Sequence, residues 1–127
     1  MYSLAPRVSA TPTRDDVGME PDFIARLRTQ LGGPRDGALL RFSLGTALLA
    51  HGDAHGAATA LREAIAFDAG YSAAWKVLGQ ALDKSGDTAA AIATYERGIA
   101  IAHERGDVQV KKEMTVFLRR LQKSAAD

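Results

Sequence analysis

The middle of this sequence repeats with a period of 34 residues. When residues 38–71 are aligned with residues 72–105, two Leu-Gly steps and two Gly-Asp steps fall in the same register. Apolar and small side chains coincide as well, in the pairs Leu48 with Leu82, Ala57 with Ala91, and Ile65 with Ile99. A repeat of this length is one supersecondary unit, which cannot bury its apolar face alone and does so by stacking on its neighbour. The period therefore predicts a stack of similar units.

Each unit is predicted to be a pair of helices joined by a tight turn. Trp75, Leu78 and Leu82 are spaced by three and four residues, which places them on one face of a helix. Gly86 is suited to the left-handed conformation that ends this helix, and the side chain of Asp87 is suited to capping the next one. The 127 residues include 24 Ala and 13 Leu but only 11 Val and Ile together, a bias that favours helices over strands. The expected fold class is therefore all-α.

The second repeat resembles the tetratricopeptide repeat. The resemblance rests on the run Trp75-x2-Leu78-Gly79-x2-Leu82, followed by Gly86, Ala91, Tyr95 and Gly98-Ile99-Ala100. The first repeat departs from the family by carrying Arg41 where the family often has Trp, and neither repeat ends in the customary Pro. The resemblance implies a right-handed solenoid of helical hairpins that serves as a protein-protein interaction module, without catalysis.

Segments on both sides of the repeats are expected to complete the stack, because two repeats are fewer than the roughly three units that such a stack needs. Before the repeats, an apolar face is formed by Phe23, Ile24, Leu27 and Leu31. Gly32-Gly33-Pro34 ends this segment, which is expected to be a helix.

A capping helix is predicted over residues 107–122. Its apolar face is formed by Val110, Met114, Phe117 and Leu121. A strict 34-residue register would bury Lys112 and Glu113, so one inserted residue is expected in the turn at residues 103–106. The chain is thus expected to have about six helices.

One helical domain over residues 20–123 is the expected organisation, and this length suits a single core. Residues 1–19 lack helical or strand periodicity and are expected to be a flexible tail, in which Met19 could also be the start; residues 124–127 are expected to be a disordered end. The tail has no apolar run like that of a signal peptide, and no stretch of about 18 apolar residues occurs. Cysteine is absent, which fits a reducing compartment, so a cytoplasmic location is expected.

The first helices of stacked hairpins line a concave groove, which is the expected binding site. The residues expected to bind a peptide there are Phe42, Thr46, Leu49, Lys76, Gln80, Lys84, Lys111 and Arg119. The groove would pass from an apolar end near Phe42 and Leu49 to a basic end near Lys76 and Lys111. This arrangement suits a protein or peptide partner that carries a hydrophobic side chain and an acidic group or a free carboxylate.

Other interpretations stay open for these residues. Leu39, Phe42 and Leu49 could pack on the N-terminal helix or bind the chain's own tail, and the lysines could form an ordinary solvated face. The expected function is the binding of a partner segment in the groove. The alternative is a structural subunit that self-associates through its apolar end as a homo-oligomer.

The resemblance also bears on one particular ligand. Some tetratricopeptide domains that bind chaperone C-termini share a carboxylate clamp of Lys, Asn and Arg residues distributed over three repeats. Lys76 and Gln80 are similar to its first Lys and Asn pair, but the sequence contains no Asn. The full clamp is therefore absent, and a chaperone tail is not the expected ligand.

Motifs for catalysis or cofactor binding are missing from the sequence. It has no phosphate-binding Gly-rich loop, no GxSxG nucleophile turn and no HExxH zinc pair. His51 and His55 have the spacing of metal ligands on a helix, but Gly52-Asp53 between them should break the helix. The net charge is +1, too small to indicate nucleic-acid binding. We expect no cofactor, no metal, no nucleic acid and no membrane association.

Overall fold

The computed structural model describes residues 21–126, in which it contains six α-helices and no strand. The helices are α1 (Pro21–Arg28), α2 (Ala38–Ala50), α3 (Ala54–Phe67), α4 (Ser72–Lys84), α5 (Thr88–Arg105) and α6 (Val108–Ala126). Each helix packs on the next along the chain, and α4 also contacts both α2 and α6. This arrangement confirms the predicted all-α stack of helical hairpins. The predicted tail, residues 1–19, lies outside the described residues.

The two hairpin turns have the same structure at positions 34 residues apart. Gly52 and Gly86 end α2 and α4 with φ angles of 96° and 90°, in the left-handed region that favours glycine. Asp53 then caps α3 by accepting a hydrogen bond from the backbone N–H of Gly56 at 2.8 Å. Asp87 caps α5 in the same way, accepting from Ala90 at 3.1 Å. The predicted turn at Gly86 and the predicted cap by Asp87 are confirmed, and the first hairpin has the same structure.

The buried side chains form two clusters along the stack. The larger cluster runs from α1 to the first turn of α5 and includes Ile24, with 4% of its surface exposed. The smaller cluster lies where α5 meets α6 and is centred on Tyr95 and Met114. Leu121 packs against both clusters. The flanking helices α1 and α6 therefore take part in burying the core, as predicted.

Arg41, which replaces the Trp of the second repeat, forms an ionic link within the first hairpin. Its Nε and Nη2 donate to the two carboxylate oxygens of Asp36 at 2.8 and 2.7 Å, and its Nη1 donates to Glu63 Oε1 at 2.8 Å. The hydrogen bonds from Arg41 hold the pKa of Asp36 well below its usual range. In the second repeat, Trp75 instead packs against the smaller cluster and donates its Nε1 proton to the carbonyl of Ala69. Different chemistry thus links the two helices at the same repeat position.

The last helix differs from its prediction in length. It spans Val108–Ala126 rather than residues 107–122, so residues 124–126, expected to be part of a disordered end, are helical. Alanine has the highest helix propensity, which favours a last turn containing Ala125 and Ala126. At the other end, the hydroxyl of buried Ser72 donates to the carboxylate of Asp107, which joins the start of α4 to the start of α6.

Candidate interaction surfaces

The concave side of the stack is formed by α2, α4 and α6, and it contains a cavity of about 340 Å³. We call it the groove cavity. Three of the predicted peptide-binding residues line it, namely Leu49, Gln80 and Lys84. They lie together with Phe117, Arg120 and Leu121 of α6. The structure therefore brings part of the predicted site together and adds residues of α6 to it.

The groove cavity combines apolar walls with a charged rim. Leu49, Phe117 and Leu121 are half-buried, while Lys84 and Arg120 are exposed. No ion pair within residues 21–126 engages either of these two cations. An apolar side chain in this cavity would thus lie beside groups that attract a carboxylate.

The floor of the groove cavity includes Tyr95, which is 2% exposed. Burial raises the pKa of the Tyr95 phenol well above its usual value, and the negative charge of Asp83 raises it further. Its hydroxyl is therefore a neutral group at physiological pH. Asp83 lines the same cavity, so the rim is not uniformly basic.

Phe42 and Thr46 lie nearer the start of α2 than Leu49 does, and neither lines the groove cavity. The ring of Phe42 packs on the ring of Tyr71, with centroids 4.9 Å apart, and Phe42 is half-buried against the larger cluster. Burial also raises the pKa of Tyr71. Thr46 is exposed, and its hydroxyl donates to the carbonyl of Phe42. Phe42 thus already packs within its own chain, on Tyr71 in the turn between α3 and α4.

Lys76 has a partner within the chain. Its Nζ donates to Glu113 Oε1 at 2.8 Å, and this bond, with a weaker one from Gln109, lowers the pKa of Glu113. The Lys76 charge is therefore neutralised by α6. Sequence reasoning assigned Glu113 no partner, although a carboxylate facing a lysine on a neighbouring helix is a common arrangement.

Lys111 and Arg119 lie on a different surface from the other predicted site residues. They line a cavity of about 450 Å³ between α5 and α6, which also includes Ala102, His103, Val108 and Val116. We call it the end cavity. The predicted groove therefore does not contain all eight residues.

The rotation of α6 about its own axis explains this separation. On the concave side, Lys76 of α4 pairs with Glu113, and Gln80 shares the groove cavity with Phe117, so facing residues are 37 positions apart. Lys111 precedes Glu113 by two residues and Arg119 follows Phe117 by two. Two residues turn a helix by about 200°, so Lys111 and Arg119 point away from the groove.

The described residues offer no clustered metal ligands. His51 and His55 are exposed on either side of the turn at Gly52, and residues 21–126 contain no group of three or more His, Asp or Glu placed to hold an ion. None of the helices in the same region is long and apolar enough to cross a bilayer.

Fold and surfaces together define a helical-hairpin repeat protein with an open groove. The family model described as tetratricopeptide repeat matches residues 48–112. The chain is 46% identical over 102 residues to a TPR repeat-containing protein of Pseudomonas aeruginosa, an alignment that covers 80% of this chain and 97% of that protein. The chain belongs to the tetratricopeptide repeat family.

Solved structures show the same similarity. A protein of Bordetella parapertussis, known from a solution structure, is 46% identical, with a TM-score of 0.72 over 81% of this chain and 90% of its own. A tetratricopeptide repeat domain protein of Salinibacter ruber is 27% identical, with a TM-score of 0.64 over 71% of this chain and 90% of its own. A crystal structure of MamA protein is 26% identical, with a TM-score of 0.65 over 86% of this chain and 62% of its own. The tetratricopeptide fold supports a general role in protein-protein interaction.

Proposed function

We propose that this chain is a non-catalytic module that binds a peptide or a helix of a protein partner in the groove formed by α2, α4 and α6. The observation that carries the proposal is the groove cavity, where half-buried apolar side chains lie beside the exposed cations Lys84 and Arg120. Burial of an apolar anchor supplies most of the affinity of such a contact, while charge sets its orientation.

The expected ligand segment carries a hydrophobic side chain next to an acidic group or a free carboxylate. The hydrophobic group would enter the cavity between Leu49 and Phe117, and the carboxylate would lie near Lys84 and Arg120. Lys76 would contribute less than a free lysine, because Glu113 already neutralises it. Thr46, which is exposed on α2, would contact the ligand beyond the cavity.

Self-association is the second candidate function, and exposed apolar residues of the first hairpin favour it. Leu39 at the start of α2 is 69% exposed, and Phe67 at the end of α3 is 56% exposed. In an antiparallel hairpin these positions belong to the same end. Sedimentation of the full chain at several concentrations tests this candidate, since a monomer at every concentration would contradict it.

The groove is tested by capturing partners on the full chain and on charge or size variants. The immobilised protein is incubated with cell lysate, the retained proteins are identified by mass spectrometry, and a retained partner is then purified and titrated. Leu49→Glu and Lys84→Glu are each expected to weaken that partner's binding at least tenfold. Leu49→Glu would place a carboxylate in the apolar part of the cavity, and Lys84→Glu would replace a positive charge at its rim by a negative one. Arg97→Glu, an exposed residue of α5, is the matched control.

Two results would contradict the groove proposal. One is a partner that binds the wild type and both groove variants with equal affinity. The other is a partner that is lost equally with the Arg97→Glu control, which would indicate a general effect of net charge rather than contact with the groove.

A further inference from the structure

The end cavity lies on an apolar strip that no helix covers among residues 21–126. Its apolar lining comes from Ala102 of α5 and from Val108 and Val116 of α6. Val108 is 59% exposed and Val116 is 43% exposed, so half of the four large apolar residues that are exposed in the described region lie here. Exposed apolar side chains that share one concave surface are typical of docking sites.

The repeat geometry indicates that the end cavity has the shape to receive a helix. In the second hairpin, α5 packs on the side of α4 that carries Gly79. The ring of Tyr95 from α5 lies so close to Gly79 that a Cβ atom there would overlap it. Helices α4 and α6 begin at Ser72 and Val108, so Thr115, which lines the end cavity beside Val116, has the position in α6 that Gly79 has in α4. The strip on α6 is therefore equivalent to the surface on which α4 receives its second helix.

The charges around the strip indicate which residues a helix bound there should carry. Lys111, Lys112 and Arg119 line the end cavity, and no Asp or Glu lines it. No ion pair within residues 21–126 engages these three cations, and Lys111 Nζ lies 3.0 Å from the imidazole Nδ1 of His103. A helix lying on Val108 and Val116 would place its border residues beside these cations, so acidic borders would be attracted and basic borders repelled.

A second copy of this chain is a poor match for the strip. The helix that a second copy would offer in the same role is α1, because it lies at the opposite end of the stack. Its exposed surface includes Arg26 and Arg28, which would meet Lys111, Lys112 and Arg119 as like charges, and a single carboxylate, Asp22, which offsets only part of that repulsion. The charges favour a different protein.

We propose that the end cavity is a second docking surface, which binds an amphipathic helix of a protein partner with acidic residues bordering its apolar face. Bound in this way, the partner's helix would complete a third hairpin with α6. This site is separate from the groove, so it does not depend on the function proposed above.

Two synthetic peptides test this proposal on the full chain. Both are helical and carry the same apolar face of Leu and Ala, but one has Glu and the other Lys along the borders of that face. We expect the Glu-bordered peptide to bind, with amide chemical-shift changes concentrated in residues 102–119, and to bind more weakly as salt rises. The Lys-bordered peptide should bind at least tenfold more weakly.

Charge-reversal variants test whether the peptide binds at the end cavity. Lys112→Glu combined with Arg119→Glu is expected to weaken binding of the Glu-bordered peptide at least tenfold. The matched control reverses the same number of charges at Arg62 and Arg97, both exposed and outside the end cavity, and should leave the affinity nearly unchanged. Circular dichroism of each variant establishes that it is folded.

Several outcomes would overturn the proposal. These are no binding of the Glu-bordered peptide at millimolar concentration, equal binding of the two peptides, equal binding by the Lys112 and Arg119 double variant, or shift changes confined to the groove. Sedimentation that shows the chain alone as a dimer, dissociated by Val116→Glu, would assign the strip to a second copy instead. Loss of partner binding in the groove experiment would leave this result unaffected.

Discussion

Gly79 sets how closely α4 and α5 approach each other. A Cβ atom at this position would lie 2.3 Å from Cε1 of Tyr95, whose ring is almost fully buried. We therefore expect Gly79→Ala to lower the free energy of unfolding by about 1–3 kcal/mol, as overpacking of a core does. Urea unfolding measures this change.

Gly37 provides the matched control for that substitution. A Cβ at Gly37 would meet nothing within 4 Å, and its φ of 163° is extended backbone. Gly37→Ala should change the unfolding free energy much less than Gly79→Ala. Equal effects of the two substitutions would contradict the close approach of α4 and α5.

Residues that act through their immediate neighbours were predictable from the sequence. The capping of α5 by Asp87 depends on an atom three residues away, and it was predicted correctly; the same cap at Asp53 of α3 follows from the repeat. The role of Arg41 was not, because its partner Glu63 lies 22 residues further along the chain. Sequence alone showed only that Arg41 breaks the family's preference for Trp, which signalled a difference without revealing the ionic link.

At the scale of whole helices, the existence and order of the six helices followed from the repeat, but the rotation of α6 did not. The apolar face with Met114 was predicted, and Met114 is fully buried. That face determines which side of α6 meets the core. The sequence did not show which of the flanking side chains face α4 and line the groove and which line the end cavity, because that division depends on contacts such as Lys76 with Glu113.

The pair of Lys76 and Glu113 can be tested by exchanging its charges. Lys76→Glu places two carboxylates together, and Glu113→Lys places two ammonium groups together, so each single variant should have a lower urea midpoint than the wild type. The double variant should recover most of the loss, because the pair is restored with its charges exchanged. The effects should be smaller than that of Gly79→Ala, since both side chains are partly exposed.

Glu96→Lys is a suitable control for the exchange, because Glu96 is exposed on α5 and no ion pair in residues 21–126 engages it. Its midpoint should stay close to that of the wild type. If the double variant were as unstable as the sum of the two single variants, α6 would not have the rotation described here, and the division between groove and end cavity would fail with it.

At the scale of the whole molecule, the core is continuous but not uniform. The larger cluster extends from α1 to Ala91 in the first turn of α5, whereas the smaller cluster joins the rest of α5 to α6, and Leu121 packs against both. Stability in a stack of this kind is approximately a sum of terms from each unit and from each interface between neighbours. The α5–α6 interface is therefore expected to loosen separately from the first hairpin.

Met114 is the residue whose loss tests this separation. It is fully buried and packs over Gly98, beside Trp75. Met114→Ala should lower the free energy of unfolding by about 2–5 kcal/mol, because it leaves a cavity between α5 and α6. Amide hydrogen exchange of the variant should rise first in α6 and in the second half of α5, while α2 and α3 keep most of their protection.

Val116→Ala, at an exposed position of the same helix, is the control and should change the unfolding free energy by less than about 0.5 kcal/mol. Exchange that rises equally in all helices of the Met114→Ala variant would instead show that residues 21–126 unfold as one unit, so that the end cavity is as firmly held as the groove.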